Sequence, residues 1–257
     1  MKKYFPLILL MTIMVAALPG AGQAPVVIEE GKIVFERKIN GHKIMTTMSE
    51  SGGFPKERLE TYKNSTPVFS VSYFTLHFNN NTTVYQPEQG TTGTPVSIDE
   101  WFVMVANDNI VQTDLSQGQF IAGKNVFGSN YIVADSLRKI KWKITSEVRT
   151  IAGFQCRRAN ALIMDSIYVV AFYTNEIAPR GGPESFYGLP GMILGVALPY
   201  EHITWFAQQV YTSASVNPVK GISGKKRLSS QDYATQINNL TKSWGKASPL
   251  VTRKALL

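Results

Sequence analysis

The side chains with most chemistry to offer in this 257-residue chain are three histidines, His42, His77 and His202, and a single cysteine, Cys156. The histidines lie far apart and share no ligand spacing. His42, Met45 and Met48 recur at intervals of three, and imidazole with soft thioethers suits copper. The competing reading makes them two ordinary methionines and a surface histidine around a strand end. Glu201-His202 could hold a metal only from one side, because adjacent strand residues face opposite ways. Cys156 sits in a strand-like run beside Arg157 and Arg158 with no assignable base, and reads as buried and inert. One cysteine excludes an internal disulfide framework and any cysteine-based zinc or iron–sulfur cage. Hydrolysis by Asp108, Asp114, Asp135 or Glu147 would need two of these acids to converge in a cleft, one with a shifted pKa. There is no G-x-S-x-G elbow, H-E-x-x-H, P-loop or dinucleotide fingerprint. The sequence therefore points to a non-enzymatic protein, with no catalytic residue and no cofactor assigned.

The most unusual stretch is Pro179 to Leu198, where Gly181, Gly182, Pro183, Gly188, Pro190 and Gly191 fix a loop ahead of the apolar run Met192-Ile-Leu194. Pro190 sets its own φ near −65° and biases Leu189 toward extended backbone. Gly191 permits positive φ, as Pro-Gly does in a type II turn. The loop reads either as a tight entry to a buried strand or as a shaped surface that meets a ligand. In the second case Gly182, Pro183, Gly188, Leu189, Pro190, Gly191, Met192 and Ile193 are the binding residues. Asp135-Ser136-Leu137 and Asp165-Ser166-Ile167 look like short sites that some diderm bacteria O-glycosylate, and plain β-turns explain both.

The elements that must position these residues begin after a leader. Lys2 and Lys3 precede an apolar run from Phe5 to Leu18, followed by small residues at Gly20, Ala21, Gly22 and Ala24. That pattern is a secretory signal peptide over residues 1–24, too short an apolar run to span a membrane. No cysteine follows it, so the chain is not a lipoprotein. The expected setting is the periplasm or an association with the outer membrane. Removing the leader lowers the net charge from +8 to +6. The basic segment at about 217–257 carries eight cations against Asp232 alone. It suits an anionic membrane surface or an acidic partner, with a solvated tail as the plainer reading. Nucleic acid is no partner for an exported chain.

The remainder, 25–257, reads as a single β-rich domain. Gly31–Ile39 alternates, with Ile33, Phe35 and Arg37 on one face. Val68–Phe78 and Thr82–Tyr85 flank an Asn79-Asn80-Asn81 turn, a hairpin. Lys56–Tyr62 is a short helix or a loop, and Gln86–Ser97 a loop. Further strands are expected at Trp101–Val105, Ile110–Thr113, Asn130–Ala134, Lys141–Thr145, Glu147–Met164, Ile167–Tyr173, Met192–Leu198 and His202–Tyr211. A helix over Gln231–Trp244, capped by Ser229 or Ser230, carries Tyr233, Ile237, Leu240 and Trp244 as its stripe. The pattern predicts a mainly β, β-rich α+β fold: a curved antiparallel sheet or open half-barrel with a C-terminal helix packed on it.

Gly188-Leu-Pro-Gly-Met-Ile193 resembles the signature of the GLPGLI family, exported proteins found mainly in Bacteroidota, with Met192 in place of the second leucine. Trp142-Lys-Ile144, Glu147, Ile151-Ala-Gly-Phe-Gln-Cys156, Ala159, Ala171-Phe-Tyr-Thr-Asn-Glu-Ile177 and Gly182-Pro183 resemble the block before it. The basic run Lys225–Arg227 before a helix resembles the family's C-terminal end. The likeness covers about residues 130–240. It implies an exported envelope setting and carries no catalytic residues. The function expected is binding or carriage of an apolar ligand, or of an outer-membrane partner, by the sheet and its helix. Periplasmic copper handling through His42, Met45 and Met48 is the alternative, and a hydrolase the second.

Overall fold

The computed structural model describes residues 27–88, 103, 105–212, 222 and 226–257. The leader, most of the Gln86–Ser97 loop and part of the basic segment lie outside the described residues.

One open sheet of twelve strands dominates the fold. The first six are β1 (Gly31–Asn40), β2 (Phe69–Phe78), β3 (Thr82–Pro87), β4 (Ile110–Asp114), β5 (Gln119–Val126) and β6 (Ser129–Ser136). They pair in sequence as an antiparallel meander. β7 (Lys143–Ile151), β8 (Phe154–Ile163), β9 (Ile167–Thr174), β10 (Met192–Leu198) and β11 (Ile203–Tyr211) form a second. β1 pairs with β11 and fuses the two, and the short β12 (Arg227–Leu228) adds in parallel to β6. The expected mainly β, open architecture with a C-terminal helix is the one observed.

Alternation does what it should on β1. Ile33, Phe35, Arg37 and Ile39 are all buried on the core face. At the β2–β3 turn Asn79 Oδ1 accepts from the backbone N–H groups of Asn81 and Thr82, at 3.0 and 2.8 Å. Two helices follow β1: α1 (Gly41–Glu50), capped by Asn40, and α2 (Lys56–Ser65).

Several expectations are corrected. Trp101–Val105 is no strand where it is described, since Val103 is helical and residues 105–108 form a turn. The Val105 and Ala106 carbonyls are taken by a side chain rather than by a neighbouring strand. Lys141–Thr145 and Glu147–Met164 are one hairpin, β7–β8. It turns at Ala152-Gly153, both with positive φ (49° and 89°), as a tight hairpin turn requires. β5 was not expected, because Gly123, Lys124 and Asn125 interrupt its apolar pattern. Asp135-Ser136 ends strand β6, whereas Asp165-Ser166 is a turn as expected.

The C-terminal helix is shorter than its pattern suggested. α3 (Ser230–Thr241) is capped by Ser229 and buries Tyr233, Ile237 and Thr241. Leu240 is 42% exposed, and Trp244 falls in a 3-10 turn over Lys242–Ala247. An unforeseen helix, α4 (Ser248–Ala255), follows and packs on α3. The basic segment from residue 226 onward is thus folded rather than a solvated tail. Arg253 pairs with Glu201 at 3.2 Å, and Lys254 is buried. No helix among the described residues is long and apolar enough to cross a membrane.

Candidate functional site: a cavity beneath the C-terminal helices

β4, β5 and β6 turn Val111, Ala122, Lys124 and Val133 to one face. α3 and α4 lie over that face and are tied to it and to each other. Asp135 Oδ2 accepts from the Ser230 N–H at 2.9 Å, which fixes the start of α3 against the end of β6. Hydrogen bonds from backbone N–H groups hold the Asp135 carboxyl below its usual range. Thr241 Oγ1 lies 2.8 Å from Ser248 Oγ and 3.0 Å from Thr252 Oγ1, and Tyr233 OH donates to the Ala255 carbonyl at 3.0 Å. Between sheet and helices lies a partly open cavity of about 670 Å³. Its apolar walls include Phe120, Leu137, Met164, Tyr233 and Leu256.

Three cations line this space, the exposed Lys139 and two that are buried or partly buried. Lys124, only 6% exposed, donates from Nζ to the Ala255 carbonyl at 3.3 Å and lies 5.7 Å from the Tyr233 ring centroid. Burial pushes its pKa down to about 8 against the favourable field of Glu184. Arg138 donates from Nη2 to the Leu256 carbonyl at 3.3 Å, and burial lowers its pKa as well.

Beyond Lys124 lies a buried polar cluster. Arg37 donates from Nη1 to the Ala106 carbonyl (2.9 Å) and from Nη2 to the Val105 carbonyl (3.0 Å). Its guanidinium sits between Phe74 and Trp205, 5.7 Å from each ring centroid. Glu184 accepts from Asn109 Nδ2 at 3.0 Å, and burial raises its pKa against the pull of Lys124 and Arg37. Trp205 Nε1 donates to the Tyr85 hydroxyl at 3.1 Å. Arg37 Nε, Asn109 Oδ1 and Glu184 Oε1 are buried and have no hydrogen-bond partner among the described residues.

The signature loop serves this cluster from its far side. Gly182, Pro183, Leu189, Gly191, Met192 and Ile193 are buried, while Gly188 and Pro190 are exposed. A Cβ at Gly182 would come within 2.8 Å of the Ile193 Cβ and 2.9 Å of the Phe186 carbonyl oxygen. That close approach lets the loop fold back and drive Glu184 and Phe186 inward, with Phe186 edge-on to Trp205 at 6.2 Å. The Gly191 N–H donates to the Leu189 carbonyl at 2.8 Å, a two-residue closure about Pro190. It is a γ-turn and not the expected type II turn. None of the signature residues lines the 670 Å³ cavity; Ser185 and Tyr187 do, and Gly188 lines a separate recess of about 370 Å³.

His42, Met45, Met48, Cys156, Asp108, Asp114 and Glu147 do not line the 670 Å³ cavity. Met45 and Met48 are shielded in the core, and His42 donates from Nε2 to the Thr66 carbonyl at 3.0 Å. They lie on α1, not at a strand end. Among the described residues no group of three or more His, Cys, Asp or Glu side chains could hold a metal ion; thioether ligands are a separate case. Cys156 is buried, and burial pushes its thiol up to about 12. Glu147 pairs with Arg158 at 2.6 Å, Asp114 receives the turn N–H groups of Ser116 and Gln117, and Asp108 is exposed. The buried carboxylate with a raised pKa is Glu184, which the sequence reading did not single out. Its signal was faint: a charged residue inside a Gly-Gly-Pro loop, opposite Arg37 in phase with an apolar face.

The site and fold thus define a class: an open, mostly β sheet closed on one face by C-terminal helices. A family described as "Protein of unknown function (Porph_ging)" matches residues 162–195, from the end of β8 through the signature loop into β10. None of the curated proteins compared matches the chain. Two solved structures of PNGF-II share the fold. The one in space group C2 has a TM-score of 0.51 at 13% identity, over 88% of this chain and 33% of that one. The one in space group P21 has a TM-score of 0.52 at 14% identity, over 86% and 34%. The chain spans about a third of their length, and at this identity the likeness is one of fold alone.

Proposed function

We propose that this is an exported envelope protein of the GLPGLI type that binds an apolar ligand, without catalysis, in the cavity between β4–β6 and the C-terminal helices. The observation that carries the reading is the cavity itself. At about 670 Å³ it falls within the 300–1,000 Å³ range of small-molecule sites, and its walls are mainly hydrophobic and aromatic. The Porph_ging match includes Gly188–Ile193, which supports the family resemblance. The leader pattern supports export. Of the four acids that hydrolysis would have used, Asp135, Asp114 and Glu147 are spent on the start of a helix, a turn and an ion pair, and Asp108 is exposed.

A neutral, environment-sensitive fluorescent probe added to the chain beginning at Pro25 tests this. One probe should bind per chain, and Ala234→Trp should abolish binding while leaving the circular dichroism spectrum unchanged. Ala234 lines the cavity from the partly exposed side of α3, so the indole fills the space rather than the core. Equal binding to the folded variant would place the ligand elsewhere. Mass measurement of the chain from a bacterial periplasm should show cleavage within residues 22–24.

A further inference from the structure

Lys124 and Arg138 are unusual furniture for a cavity meant only for hydrocarbon. Taking an ammonium group out of water costs free energy unless an anion or several good acceptors replace the water. Lys124 has one carbonyl at a long 3.3 Å and an aromatic face. Among the described residues no carboxylate stands within 4.0 Å of its Nζ; Glu184 acts on it only through its field and is itself hydrogen-bonded to Asn109. Arg138 likewise meets a carbonyl at 3.3 Å, and the two cations are close enough for Arg138 to depress the Lys124 pKa further. Their acceptors are consecutive, Ala255 and Leu256, in the turn that also brings a Leu257 carboxylate oxygen to Ser185 Oγ at 3.3 Å. The other charged groups on the lining are Asp135, committed to the start of α3, the exposed Lys139, and the Leu257 carboxylate, which accepts from Ser185 Oγ and forms no ion pair with Lys124 or Arg138 within 4.0 Å.

We propose that the cavity takes an anionic amphiphile, one acyl chain with a singly placed negative headgroup, and that Lys124 and Arg138 bind the head by displacing the Ala255 and Leu256 carbonyls. This rests on the cavity being a ligand site. A shared anion removes the repulsion between the two cations and replaces neutral acceptors by a charged one, which forms the stronger hydrogen bonds. The acyl chain lies against Phe120, Met164 and Tyr233. The 255–257 turn acts as a stand-in for the head, holding the cations until ligand arrives.

The test is competition against the neutral probe, at pH 7, by dodecanoate, dodecyl phosphate and dodecanol. The anions should displace the probe at concentrations about tenfold or more below the alcohol. Lys124→Gln should reduce that preference, taken as the ratio of anion to alcohol displacement measured within the same variant, to about twofold, and Arg138→Gln, at a less buried position, should reduce it in part. The stronger of the two anions identifies the headgroup as carboxylate or phosphate. Equal competition by anions and alcohol would overturn the headgroup assignment and leave the cavity as an apolar site. A preference that survives in both variants would also overturn it. Failure of the neutral probe to bind at all would instead remove the cavity reading on which the proposal stands.

Discussion

The two meanders use the same alternation and bury it to different ends. In the second, β9 and β10 are closed on both faces, and their neighbours approach so tightly that glycine is needed at Gly182 and Gly195. In the first, the sheet face of β4–β6 leaves a cavity and places Lys124 inside it. The difference lies in what covers each face. A loop of the same meander folds back on β10, whereas β4–β6 waits for helices from the far end of the chain. A short, glycine-fixed cover packs to interior density; two helices set at a distance leave room. The segment that is most recognisable in sequence is therefore the one that is most tightly packed, and the cavity lies where the sequence is plain.

The sharpest way to break that comparison is Gly191→Val. Gly191 has φ 141°, and a Cβ there would overlap the Thr174 carbonyl oxygen on β9. Backbone cannot yield without breaking the β9–β10 pairing, so the expected loss exceeds about 4 kcal/mol and no cooperative unfolding transition remains. Gly188→Ala, at φ 94° but exposed, with an ordinary contact to Trp142 Nε1 at 3.9 Å, should cost only about 1 kcal/mol. A Gly191→Val protein that melted like the wild type would show the signature to be a surface device rather than a packing one.

Next in size is Arg37→Met. The substitution leaves the Val105 and Ala106 carbonyls buried without donors and Glu184 with one fewer compensating charge. Breaking a buried charged network from one side costs about 3–5 kcal/mol. In urea titrations the midpoint should fall accordingly, and Arg37→Met with Glu184→Gln should recover part of the loss. A midpoint that does not move would mean that the cluster leaves the docking of the 105–109 segment unaffected.

How much of this was legible follows from where the information sits. β1, the β2–β3 hairpin, β9 and β10 declare themselves because period-2 alternation or a continuous apolar run is local. Arg37 was visible on the apolar face of β1, yet its partners at 105, 106 and 184 are brought there only by tertiary folding. β5 was hidden because the residue that equips the cavity, Lys124, is the one that spoils its strand pattern. The Ala152-Gly153 turn was hidden by an alanine at positive φ, a position where sequence usually shows Asn or Gly. The cavity had no sequence signature at all, since it is formed by the distance between two elements about a hundred residues apart.

A smaller effect separates the two meanders by pH. Lys124 and Lys254 are each held near pKa 8, below the 10.5 of an unfolded lysine, because burial disfavours their charged forms. Between those values the unfolded chain binds more protons than the folded one, so stability rises with pH through that window and the cost is fully present below pH 8. Lys124→Met removes one contribution. Urea midpoints measured at pH 7.5 and 9.5 should climb less in the variant than in the wild type. Identical slopes would show that Lys124 keeps its charge at no cost, through an acceptor better than the Ala255 carbonyl.

The smallest expected effect tests the helix that roofs the cavity. A stripe through Tyr233, Ile237, Leu240 and Trp244 and a stripe through Tyr233, Ile237 and Thr241 differ by one step of about 100° around the axis. α3 takes the second, because Thr241 Oγ1 is needed by Ser248 and Thr252 to turn the chain into α4. Leu240 is left 42% exposed. Leu240→Ala should then change stability by less than about 0.5 kcal/mol, whereas Ile237→Ala, wholly buried, should cost about 2–5 kcal/mol. If Leu240→Ala were as costly as Ile237→Ala, α3 would be rotated toward the apolar stripe. Tyr233 would then leave Ala255, and the cavity would lose the contact that holds its roof.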